Sequence, residues 1–137
     1  MTREGCVFCR IAAGDAPAMI LRRTELATAF LDINPVVPGH VLIIPNEHFA
    51  SMDDAEESYL SALAGLGREI GALLKSRLGA TGYNILVANG RSAQQSVFHL
   101  HFHVVPRREG DGINLWFHGQ RSSPDPEALR EMRDALL

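Results

Sequence analysis

The reading of this chain turns on "SVFHLHFHVVPR", residues 96–107. Three of its six histidines, His99, His101 and His103, stand there with one apolar residue between neighbours. In a strand, successive side chains point to opposite faces. The three imidazoles therefore share one face, and Leu100, Phe102 and Val104 share the other. The apolar face belongs to a core, and the imidazole face looks into a site. Neighbouring histidines begin about 6.6 Å apart, so all three can surround one small group such as a phosphate. Such alternation marks any half-buried strand, but histidine is not a favoured residue for decorating strands, so three in five residues point to chemistry. Two chemistries fit. Histidines two apart on a strand can both bind zinc. Neutral imidazole can also attack phosphorus at physiological pH, leaving a covalent intermediate that water cleaves.

Upstream, "YNILVANG" predicts a further strand, joined to the histidine strand by the polar loop "NGRSAQQ". Before it, Leu60, Leu63, Leu66, Ile70, Leu73 and Leu74 recur three or four apart and predict a long helix over about 54–78. Ser51 or Asp53 can cap its start, and Gly79 can end it. "AMILRR", "LATAFLDI" and "HVLIIP" predict three strands of an antiparallel meander, after a short helix in "CVFCRIAAGD" that Gly14 closes. Downstream, Ser123-Pro124-Asp125-Pro126 opens a last short helix with Leu129, Met132 and Leu136 on one side. This order is α+β: an antiparallel sheet of about five strands, one long helix and short terminal helices. With no repeat or linker, the 137 residues are expected to form a single domain, 1–137, with a core over 6–107 and a C-terminal extension over 108–137.

Charged residues at 21% and hydrophobic ones at 46% fit a compact soluble protein rather than a disordered one. Runs such as "VLII" are too short to cross a bilayer, and "MTREGCVFCR" does not form a signal peptide, so no membrane association and a cytoplasmic location are expected. A net charge of -3 argues against a broad basic groove for a polynucleotide. It leaves room for a mononucleotide, whose phosphate backbone N–H groups, neutral donors and protonated histidine can hold.

His99-Leu100-His101-Phe102-His103-Val104-Val105 matches the signature of the histidine triad family, in which histidine alternates with apolar residues and two apolar residues close the motif. "LDINPVVPGHVLIIPNEH" resembles the family's aspartate, Pro-Gly-His and Ile-Pro-x-x-His region, and "QQSVFHLHFHVVPR" its closing segment. The resemblance covers about 6–107 and points to a Hint-like or general bacterial-type branch. It implies a nucleotide hydrolase or transferase acting at the α-phosphate of nucleoside phosphoramidates or dinucleoside polyphosphates, through a nucleotidyl-histidine intermediate and with release of a nucleoside monophosphate such as AMP. It places the nucleophile on His101, a donor to the phosphate or leaving group on His103, and a supporting imidazole on His40. Asn89, Gln95 and Ser96 match polar positions near the phosphate. Asp32 matches the carboxylate that takes the ribose hydroxyls, although it can also be read as a turn aspartate before Pro35. Relatives pair through the long helix and an edge strand, so a homodimer is implied. In one place the pattern breaks: many relatives carry Gly-Gln where this chain has Gln94-Gln95, and glycine takes positive φ at lower cost than glutamine. A rival reading of the same residues is a nucleotide-binding or zinc-binding regulatory module with little turnover; another is a catalytic metal in the triad.

Cys6 and Cys9, the only cysteines, can be read as free thiols, a redox pair or half of a zinc site. The redox reading is the weakest, since no strand precedes them. Some branches of the family bind structural zinc through this pair, the last histidine of the Ile-Pro-x-x-His segment and the first of the triad. Here the resemblance implies Cys6, Cys9, His48 and His99, with no catalytic metal or organic cofactor. His118 and Trp116 are read as packing or interface residues, and Arg91 and Arg107 as solvated.

Overall fold

The computed structural model describes residues 3–115 and 120–137, so Trp116 and His118 lie outside the described residues. Five strands form one antiparallel sheet in the order β1-β2-β3-β5-β4: β1 Ile20–Arg23, β2 Ala27–Leu31, β3 Val41–Pro45, β4 Gly82–Leu86 and β5 Phe102–Arg107. Helix α1, Val7–Ala13, begins at Cys6 and ends at Gly14 in the left-handed conformation that glycine adopts without strain. Helix α2 spans Glu57–Leu78 and α3 Pro126–Leu136.

The two faces of the sheet follow from the period of its strands. Ala27, Ala29, Val41, Ile43, Phe102 and Val104 meet Leu63, Leu66, Ile70 and Leu74 of α2 in the larger core. The intervening Phe30, Leu42 and Ile44 meet Phe8 and Ile11 of α1. β3 is buried along its whole length because both faces are covered. Gly71 allows α2 to lie close over β4, since a Cβ there would overlap the Tyr83 ring. Leu73, counted into the apolar stripe, stays exposed on its shoulder.

The expected cap of the long helix falls elsewhere. Ser51 accepts from the Asp53 N–H and forms a capping box with Asp54, but this starts a separate 3₁₀ turn, Met52–Asp54. Ala55 then turns extended, and α2 begins at Glu57 with Glu56 as a cap that makes no side-chain bond. At the other end of the chain α3 is capped by Asp125 with Pro126 in its first turn, as its sequence predicts, yet none of its residues is buried. No helix among the described residues is long and apolar enough to cross a membrane.

The histidine strand is shorter than the alternation predicts. Pairing with β3 begins at Ile43 with Phe102, so His103 stands in the ladder while His99 and His101 precede it. There the backbone turns to other partners: the Leu100 N–H donates to the Phe49 carbonyl at 2.7 Å. The facing survives, because Leu100, Phe102 and Val104 all enter the α2 core and leave the imidazoles on the opposite side.

Candidate functional site

Two clusters of metal-ligating side chains stand on the α1 side of the sheet, and the histidine segment runs through both. The first joins Cys6 and Cys9 from α1 to His48 after β3 and His99 before β5, with one donor atom of each within 4.8 Å of the others. His48 Nδ1 lies 3.2 Å from Cys9 Sγ, and His99 Nδ1 lies 3.5 Å from both sulfurs. A tetrahedral centre with sulfur at about 2.3 Å and nitrogen at about 2.0–2.1 Å has sulfur–nitrogen edges of about 3.5 Å, so these separations fit one shared ion. The tautomer fits as well. His99 Nε2 lies 3.0 Å from the Pro45 carbonyl, which only accepts, so Nε2 carries the proton and Nδ1 turns a lone pair to the sulfurs. His48 Nε2 is buried without a hydrogen-bond partner among the described residues, so the Cys9 side is what orients this ring.

The second cluster is Asp32, His40 and His103. The Val36 N–H donates to His40 Nδ1 at 3.1 Å, so His40 carries its proton on Nε2 and donates it to His103 Nδ1 at 2.9 Å. Asp32 Oδ2, 3.5 Å from His40 Nε2, is a second acceptor for the same proton. With Nδ1 accepting, His103 holds its own proton on Nε2. Burial, helped by the charges of His101 and His40 and opposed by Asp32, lowers the pKa of His103 to about 4. Burial also lowers His40, again against Asp32. Both rings are neutral at pH 7, as this chain of tautomers requires.

His101 lies between the clusters, 6% exposed. Its Nδ1 is 2.8 Å from the His99 carbonyl, so Nδ1 donates and Nε2 keeps the lone pair. The ring centres of His101 and His103 are 5.0 Å apart, so the ring that keeps an Nε2 lone pair neighbours the ring that keeps an Nε2–H. Both line a cleft of about 380 Å³ whose other walls are apolar (Phe8, Ile11, Phe30, Leu42) or polar without cations (Asp32, Asn34, Ser96).

Asp32 closes a turn and also stands on the wall of the cleft. Oδ1 accepts the Asn34 N–H at 2.9 Å, closing an Asx turn, and the same carboxylate borders the cleft. Ser96 is exposed on the opposite wall. Gln95 is buried in the loop. Its Oε1 accepts the Gly90 N–H, its Nε2 donates to the Ala50 and Val97 carbonyls, and its own N–H is bonded to the Gly90 carbonyl. These bonds brace the loop that precedes the histidine segment. Asn89 is similarly tied: its Oδ1 accepts the Met52 N–H at 2.8 Å, and it is not among the residues lining the cleft. Gln94 takes φ 70°, the one positive φ of a non-glycine residue among those described, so the loop keeps the turn that glycine would make easily.

Arg107 is only partly exposed and is held in place: it is paired with both carboxylate oxygens of Asp111 and bonded to Asn84 and the Ile113 carbonyl. Arg91 lies over the Phe98 ring, away from the cleft. Sequence reasoning missed Phe8, whose ring meets those of both His99 (5.9 Å) and His101 (5.2 Å) edge to face. Its signal was its place between the two cysteines. It also missed the Val36 N–H and the Pro45 and His99 carbonyls, backbone groups that residue types do not reveal.

A model of the HIT domain matches residues 13–110. The chain is 37% identical over 121 residues to an adenosine 5′-monophosphoramidase of Schizosaccharomyces pombe, covering 88% of each chain. Among solved structures it resembles a protein from Streptococcus mutans UA159, with a TM-score of 0.91 and 32% identity over 98% of this chain and 85% of that one. It also resembles a zinc-bound histidine triad family protein from Mycobacterium smegmatis, with a TM-score of 0.78 and 37% identity over 96% of this chain and 97% of that one.

Proposed function

Since the chain belongs to the HIT domain family, we propose that it is a nucleotide hydrolase or transferase acting at the α-phosphate of a nucleoside phosphoramidate or dinucleoside polyphosphate. The observation that carries this reading is the pair of opposite tautomers in the cleft. His101 offers an Nε2 lone pair, its Nδ1 proton being bonded to the His99 carbonyl, and neighbouring His103 offers an N–H. A nucleophile beside a donor is what phosphoryl substitution needs.

His101 Nε2 attacks the α-phosphorus. A P–N bond forms, the bond to the leaving group breaks, and its electron pair goes with the leaving atom. His103 Nε2–H donates to a phosphoryl oxygen or to that atom, while His40 holds the His103 ring in the required tautomer. Water then attacks the phosphorus and gives up a proton that replaces the one the leaving group took, the P–N bond breaks, and its pair returns to Nε2 as the nucleoside monophosphate leaves. Asp32 accepts from the ribose hydroxyls, the stronger acceptor for being ionised. Phe8, Ile11 and Phe30 give the base, adenine in an AMP-containing substrate, an apolar wall.

Cys6, Cys9, His48 and His99 would hold zinc. It would supply a cross-link between α1 and the sheet, with two thiolates neutralising the ion, and no step of the reaction needs it. The zinc-bound mycobacterial relative supports this choice of metal. We also propose a homodimer, supported by the edge position of β4 and by exposed Ile85 on β4 and Leu73 on α2; light scattering at the mass of one chain would refute it.

The test of the activity is AMP release from adenosine 5′-phosphoramidate and from diadenosine polyphosphates, with trapping of an adenylylated protein by mass spectrometry. Turnover and the adduct are expected in wild type and neither in His101→Ala. AMP release no faster than that of His101→Ala would reduce the protein to a nucleotide-binding module. Turnover that vanishes on chelation of a folded protein whose His101 keeps its Nδ1–H tautomer would move the metal into the chemistry.

A further inference from the structure

His99 belongs to both halves of the site. Its Nδ1 faces the two sulfurs at 3.5 Å, and its Nε2–H is bonded to the Pro45 carbonyl. Its backbone carbonyl, 2.8 Å from His101 Nδ1, is the acceptor that decides which nitrogen of His101 carries the proton. The side chain is fully buried. Phe8 makes a second link, since it sits between Cys6 and Cys9 and its ring abuts both imidazoles.

We infer that the Cys6, Cys9, His48 and His99 centre sets the tautomer and aim of His101, with His99 as a positioning residue between a bound metal and the nucleophile. This rests on the proposed function for what His101 does, and on the metal reading for what fills the centre. With the ion in place, the metal and its three other ligands fix His99 from one side and the Pro45 carbonyl from the other, so the His99 carbonyl points at His101 Nδ1. Without it, the His99 ring keeps its bond to the Pro45 carbonyl but loses its anchor on the thiol side. The carbonyl can then swing, His101 can move its proton to Nε2, and the cleft loses its lone pair. Zinc would thereby affect the chemistry without touching the substrate.

The experiment uses the full chain labelled with ¹⁵N in its histidines, loaded with zinc or stripped of it by chelation, with His101 assigned by His101→Gln. Long-range proton–nitrogen spectra report the tautomer directly. In the zinc form, His101 is expected to show only the Nδ1–H tautomer. On stripping, the Nε2–H form is expected to appear, with kcat down on the order of tenfold or more and KM nearly unchanged, since a nucleophile in the wrong tautomer can still sit beside bound substrate. His48→Ala is the second arm: it removes a ligand that does not touch His101 and is expected to give the same spectral change. A folded protein in either arm whose His101 keeps the Nδ1–H tautomer overturns the proposal. Unfolding in both arms assigns the centre to the fold alone and overturns it too, and so does metal analysis that finds nothing bound at four ligands. The spectrum needs no turnover, so a tautomer that follows zinc in a protein that releases no AMP would refute the hydrolase reading and leave the coupling standing.

Discussion

His103 must be neutral for the tautomer chain from Val36 through His40 to exist, and this makes stability depend on pH in a stated direction. Its pKa is about 4 in the folded protein, against an ordinary value of 6.5. Between those values the unfolded chain binds a proton that the folded chain refuses, so stability rises with pH. The contribution is fully present above pH 6.5 and is lost as pH falls towards 4. Each unit of separation corresponds to about 1.4 kcal/mol, which sets a ceiling of roughly 3 kcal/mol on the contribution of this partly buried, solvent-screened ring across the window. Other groups titrate there as well, and a difference measurement removes them. Urea unfolding of wild type and His103→Gln at several values between pH 7 and pH 4, at one metal concentration, isolates the term. Wild type should lose on the order of 1–3 kcal/mol more than the variant on acidification. Parallel curves would mean that His103 titrates alike in the folded and unfolded states, and the neutral relay would have to be abandoned.

Other substitutions separate the site from its scaffold. Asp32→Asn keeps an oxygen for the Asn34 N–H but loses the charge; KM for a nucleotide substrate should rise roughly tenfold with stability nearly unchanged, and an unchanged KM would leave only the turn role. At Gln94 the order of stability should be Gly at or above Gln, and Val lower by about 1–2 kcal/mol, because a β-branched residue resists the left-handed region; chemical denaturation of the three proteins tests it. Gly71→Ala should cost about 1–3 kcal/mol, since the new Cβ runs into Tyr83. Gly65→Ala, with open space around it in the same helix, should stabilise by about 0.5–1 kcal/mol, and equal effects at the two positions would contradict the packing of α2 on β4.

Periodic apolar side chains made the fold legible. The strands around Ile20, Ala27, Val41, Gly82 and Phe102 and the helix of Leu63, Leu66, Ile70 and Leu74 fall where alternation and helical spacing put them. Segments with competing uses for one side chain were not legible. Ser51 is a good cap, but nothing in its neighbourhood says that the turn it caps will stop at Ala55 before the long helix starts. Leu129, Met132 and Leu136 form the expected stripe, but a stripe does not say what covers it, and in α3 they are exposed. Gln95 matches a polar position beside the site; its partners within the protein, Gly90, Ala50 and Val97, come together only when the loop closes.

The three histidines carry the same limit into chemistry. Alternation gives them a common direction, but each step of two residues also moves an imidazole about 6.6 Å along the sheet and therefore to new neighbours. His99 lies under α1 and meets thiols from residues some 90 positions earlier. His101 lies past the last sheet pairing, where a backbone carbonyl is left for its Nδ1. His103 is inside the ladder beside β3, where His40 donates to the same atom. One ring atom, Nδ1, thus faces a metal-ligating cluster, gives a proton or accepts one, and in each case this decides what Nε2 can do. Direction is a property of the segment and could be read from it. Tautomer is a property of the partner, a backbone carbonyl left unpaired in the segment for His101 and groups that folding brings from α1, β3 and the β2–β3 turn for His99 and His103, so identical residues two apart acquire different chemistry.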